Sequence, residues 1–159
     1  FGGTKMETIE FKVQEFKNMT LNPDDAVADV NEKGRRICQV EIHEIPRVLR
    51  EYILFPDSDE TVWDKTLSIM KQHPQQLWLM SKPITIHASK VLFDNRKHKV
   101  FLSFREKEMD GVCAGANILR AILDNRDDSN VNREMYIELE LLSGLSSDEV
   151  KKVAEFRSF

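Results

Sequence analysis

Apolar and polar positions alternate along several short runs of the chain. Ile9, Phe11 and Val13 stand against Glu10, Lys12 and Gln14, a period of two that predicts a strand over Thr8–Phe16. Cys38, Val40 and Ile42 against Gln39, Glu41 and His43 predict another over Ile37–Ile45, closed by Pro46. Ile84–His87, Val91–Phe93 and Val100–Phe104 read as three more strands, the last two joined by the turn-forming Asp94-Asn95-Arg96-Lys97. The run from Met135 to Leu141 alternates again.

Between these runs the period lengthens. Helical spacing is expected around Arg47–Leu54 and from about Glu60 to His73, where Trp63, Leu67 and Met70 fall on one stripe. A helix to about Leu123 follows the small-residue stretch that begins at Gly111. Ser146 and Glu149 have the spacing of a capping box. They open a terminal helix whose apolar face carries Val150, Val153 and Ala154, with Phe156 at its margin. Residues 17–33, with Asn22-Pro23-Asp24-Asp25, form an acidic connection with little power to build a core.

Strands and helices interleave without an internal repeat, and several links look like hairpins. The fold class expected is α+β (mixed α/β), a small mostly antiparallel or mixed sheet packed with helices. At 159 residues, 41% hydrophobic and 31% charged, residues 6–159 fit a single α/β domain with one ordinary core. Residues 1–5, ahead of Met6, read as an appended remnant outside the fold. The last helix carries no stop signal, so the chain is expected to be the N-terminal fragment of a longer protein.

A net charge of −4 confines any polyanion site to a local patch. Arg96, Lys97, Lys99, Arg105, Lys107, Arg120 and Arg126 would form one if the hairpin tip and the helix after Gly115 shared a face. A solvated face broken by Glu106, Glu108 and Asp110 is the simpler alternative. The two cysteines, Cys38 and Cys113, lie far apart and suggest reduced thiols in a cytoplasmic protein. No apolar run approaches a membrane-spanning length, so no membrane partner is expected.

Candidate chemistry concentrates in one place. Gly111-Val112-Cys113-Ala114-Gly115-Ala116-Asn117 follows a strand and leads into a helix. Such a turn leaves backbone N–H groups open to an anion or a substrate edge. Asn117 is either the helix N-cap or a ligand contact; one side chain cannot serve both. Cys113, near a helix N-terminus, is more simply a packing residue than a nucleophile. Among His43, His73, His87 and His98 none has metal-ligand spacing, so no metal is expected, and His87 reads as a core or rim histidine. Trp63 and Trp78 read as core or interface residues, and Glu138 and Glu140 as solvated.

Three segments then look alike to one family. They are Val40-Glu41-Ile42-His43-Glu44-Ile45-Pro46, the stretch Pro74–Ala88 ending in Ile84-Thr85-Ile86-His87-Ala88, and the block Gly111–Ile122. Together with the strand Met135–Leu141 and the final helix to Ser158, their order resembles the abortive-infection phage-resistance (AIPR) family of bacterial defence proteins. The third block is also similar to the phosphate-binding turn of ParB/sulfiredoxin-like domains. Gly111, Gly115 and Leu119-Arg120-Ala121-Ile122 match directly. Ala114, Ala116 and Asn117 depart from the family residues, as do Ser81 and Pro83 before Ile84.

The resemblance implies a ParB/sulfiredoxin-like fold in a phage-defence protein that binds a nucleotide or a nucleic-acid phosphate at the 111–117 turn. Gly111 and Gly115 would permit close approach, Asn117 would touch the ligand, and Arg120 and Lys99 would supply charge. No catalytic residue and no cofactor is assigned to this stretch of chain. The alternative is a protein-interaction or homo-oligomerisation module without catalytic activity. A nuclease or nucleotide hydrolase ranks last for this chain, its site more naturally sought elsewhere in a longer protein.

Overall fold

The computed structural model describes residues 6–20 and 33–157. Residues 1–5, 21–32 (with the acidic stretch Asn22-Pro23-Asp24-Asp25) and 158–159 lie outside the described residues. Two sheets share one hydrophobic core. Strands β1 (Met6–Lys12), β5 (Lys90–Asp94) and β6 (Lys99–Arg105) form an antiparallel sheet in the order β1-β6-β5. Strands β2 (Glu15–Asn18), β3 (Gly34–Glu41), β4 (Ile84–Ala88), β7 (Gly111–Ala114) and β8 (Tyr136–Ser143) form the other, in the order β2-β3-β8-β4-β7. Among the described strands only the β4–β8 pair is parallel, so the fold is α+β with a mixed sheet and an antiparallel one.

The alternating run at the start is one strand in pattern and two in space. Val13 N–H donates to His98 O at 2.9 Å and Gln14 N–H to Gln39 O at 2.7 Å, so adjacent residues pair with different sheets. Ser89 makes the second crossing, between β4 and β5, with its N–H on Ser103 O. Period two reports burial and is blind to which sheet a residue joins. The run ending at Pro46 is also shorter than its pattern. β3 stops at Glu41, and Ile42–Glu44 and Arg47–Tyr52 are 3-10 turns, with Ile42, Ile45 and Leu49 still buried.

Helix α1 (Thr61–Gln72) packs against α3 (Ala116–Asn125), and α2 (Leu77–Met80) lies at β8. The buried face of α1 is Thr66 and Met70; Leu67 is partly buried, and Trp63 sits aside with its indole N–H on Asp124 Oδ2 at 3.1 Å. The expected stripe is thus rotated by a fraction of a turn. Helix α4 (Ser147–Arg157) crosses β7, held by the expected capping box: Ser146 N–H reaches Glu149 Oε1 at 3.0 Å, and Glu149 N–H reaches Ser146 Oγ at 3.2 Å. Val150 and Ala154 bury against Cys113, whereas Phe156 is 76% exposed.

Successive side chains of a strand face opposite ways. Ile84, Ile86, Ile137, Leu139 and Leu141 enter the main core. Thr85, His87 and Glu140 face the other way, toward α4, as the Arg157–Glu140 contact requires.

Candidate functional site

The stretch expected as one open turn divides into three parts. Gly111–Ala114 is an edge strand of the mixed sheet, buried along its whole length. Gly111, at φ 146°, lies where a Cβ would meet Tyr52 O at 2.1 Å, so its glycine serves close packing of the 3-10 turn on β7. Gly115, at φ 85°, is the left-handed residue that turns the strand into α3. A Cβ there would lie 3.1 Å from Ile84 Cα and 3.3 Å from Pro83 O.

Gly115, not Asn117, is the cap position of α3. Asn117 sits in the first turn, 8% exposed, and every polar group on it is spent within the chain. Its backbone N–H donates to Asp57 Oδ2 at 2.7 Å, its side-chain amide to Asp59 O at 3.0 Å, and its Oδ1 accepts from Arg120 at 3.2 Å. A carboxylate from the loop before α1 therefore stands where an anionic ligand would meet the positive end of the helix dipole. Nothing local in the sequence marks Asp57 for this role, because it reaches Asn117 across 60 residues.

Lys99 stands apart from these residues. It begins β6 and pairs with Glu10 at 3.6 Å. Arg105, at the far end of that seven-residue strand, is about 20 Å away by strand rise. The expected basic patch disperses likewise. Arg105 lies 3.7 Å from Asp110, and Arg126 is buried with its guanidinium on Ile42 O at 2.8 Å and Ile45 O at 2.7 Å.

A cleft of about 220 Å³ does open beside Gly115. Val62, Pro83, Ala114 and Ile118 give it mostly apolar walls, with Thr85, Lys82, Asp57 and Arg157 at the polar positions. Arg157 is committed to Glu140, which is fully buried rather than solvated. Glu140 accepts from both terminal guanidinium nitrogens of Arg157, from Arg35 Nε at 2.5 Å and from the Thr85 hydroxyl at 3.0 Å. Burial alone would raise the Glu140 carboxyl, but the hydrogen bonds from Arg157 and Arg35 outweigh it and hold it below its ordinary value.

No protein-family model matches the chain, and neither curated protein sequences nor solved structures give a match.

His87, 2% exposed, is a structural histidine in the Nδ1–H tautomer: Nδ1 donates to Met109 O at 2.8 Å and Nε2 accepts from Leu145 N–H at 3.1 Å. Asp110 Oδ1 lies 3.1 Å from the same Nδ1. Cys113 packs under α4, and burial pushes its thiol up to about 12, far from the thiolate that nucleophilic attack needs. Among the described residues, no three His, Cys, Asp or Glu side chains cluster as a metal site would require, and no helix is long and apolar enough to cross a membrane.

Trp78, expected as a core or interface residue, is one of three exposed apolar side chains on α2. Trp78, Leu79 and Met80 are 46%, 64% and 49% exposed in consecutive positions. Consecutive helix residues point in different directions, so these three are separate exposed side chains, and only Trp78 lines a groove.

Proposed function

We propose that this chain is a non-catalytic interaction module of a cytoplasmic phage-defence protein, acting through contact with a protein partner or with other copies of itself. The family setting comes from the sequence resemblance. The choice of module over phosphate-binding domain rests on one observation: Asp57 occupies the N–H of Asn117 at the start of α3. A phosphate entering there would have to displace a carboxylate already holding the same donor, while Asn117 and Arg120 are spent on each other. The dispersal of the basic residues and the exposed Trp78 support the same reading.

The nucleotide or nucleic-acid reading keeps one supporting observation, the cleft at Gly115 with Arg157 and Lys82 on its walls. At about 220 Å³ it is smaller than the 300–1,000 Å³ of typical small-molecule sites. Calorimetric titration with ATP and with short single-stranded DNA separates the two. The module reading expects no saturable heat from the wild type. Saturable binding that is lost in Arg120→Ala would overturn it in favour of a phosphate site.

A further inference from the structure

A groove of about 540 Å³ lies between the Pro74 turn and the start of β8. Pro74, Gln75, Trp78, Gln39, Glu134 and Tyr136 are among its lining residues, and none of the residues lining it is a lysine or arginine. Two aromatic rings, three glutamine amides (Gln14, Gln39 and Gln75) and one carboxylate make its chemistry. Trp78 is pinned to the turn by its indole N–H on Gln75 O at 3.1 Å, yet remains 46% exposed. The Tyr136 hydroxyl donates to Glu134, which ties a carboxylate and an aromatic ring together at the groove wall. Glu138 follows Tyr136 on the same face of β8 and sits opposite Gln39 in the strand register.

From this we propose that the groove docks an extended, arginine- or lysine-bearing segment of a protein partner; the proposal rests on the reading of the chain as an interaction module. A cation is attracted to an aromatic ring face and to a carboxylate alike, and Trp and Tyr rings do this best when partly desolvated. The glutamine amides offer donors and acceptors to the backbone of an extended peptide, which has no internal hydrogen bonds of its own. The volume holds a few side chains and excludes a folded domain. Glu134 in the groove and Glu138 beside it supply the negative charge that a cationic side chain complements.

The test is fluorescence anisotropy of the whole chain with a fluorescein-labelled peptide of alternating arginine and serine. Saturable binding is expected, weakened about tenfold or more in Trp78→Ala and in Glu134→Gln. The counterpart peptide of alternating glutamate and serine is expected not to bind. Both substitutions fall at the rim of the groove, and unchanged far-ultraviolet circular dichroism verifies the fold. Equal affinity in wild type and both variants, or no saturable binding, overturns the groove assignment. If light scattering then still shows self-association, the module reading survives without the groove. A monomer that binds ATP instead overturns both.

Discussion

At the scale of single residues, His43 shows how a local pairing becomes a measurable property. Its Nδ1 faces the Glu41 carboxylate at 2.9 Å and its Nε2 faces Arg126 O at 3.1 Å. Both partners are acceptors, so the two contacts together favour the imidazolium form, in which both ring nitrogens donate. Burial lowers its pKa, but the Glu41 and Arg126 contacts outweigh this and raise it above the ordinary histidine value. A raised folded pKa means stability that is full below about pH 6.5 and is lost as pH climbs through the folded value. Thermal melting of the wild type should therefore show a fall in Tm across that window that His43→Gln lacks. An identical pH dependence in both would remove His43 from the account. The sequence pattern shows His43 only as a polar position in a strand. Its partner at Arg126 is 83 residues away, and nothing in periodicity reports it.

At the scale of elements, most strands and helices were legible because burial on one face imposes a period. The capping box at Ser146 and Glu149 was legible because it is purely local. What escaped were elements decided by distant partners. The run from Thr8 to Phe16 breaks where hydrogen bonds switch sheets, and β7 was read as turn because four small or apolar residues carry no alternation. Glu140 looked solvated because it alternates with leucines, yet Arg35 from β3 and Arg157 from α4 converge on it. This cluster ties α4 to the sheet. Its loss strands two cations against a buried surface, softened because both guanidinium groups are nearly half-exposed. Glu140→Gln is therefore expected to cost about 3 kcal/mol in urea unfolding. A change below about 0.5 kcal/mol would show that α4 is held by Val150 and Ala154 alone.

For the molecule as a whole, the fold class was legible and the candidate site only in part. Gly115 does turn a strand into a helix beside a cleft, as the small-residue stretch suggested. The same helix start is closed by Asp57, and Lys99 sits at the far end of another sheet. Convergence of residues distant in sequence is what a pattern along the chain does not encode. Trp78 was legible only as a core or interface residue, and its 46% exposure in the fold decides between the two. In the proposed reading, the functional surface is the groove beside Trp78 and not the glycine turn.

Backbone amide chemical-shift mapping tests that relocation most directly, with the arginine–serine peptide and ATP titrated separately into the labelled chain. Shifts clustered at Gln75, Trp78, Glu134 and Tyr136 are expected with the peptide, and none at Gly115–Arg120 with ATP. Saturable shifts at Gly115–Arg120 with ATP, and a silent groove, would contradict this reading.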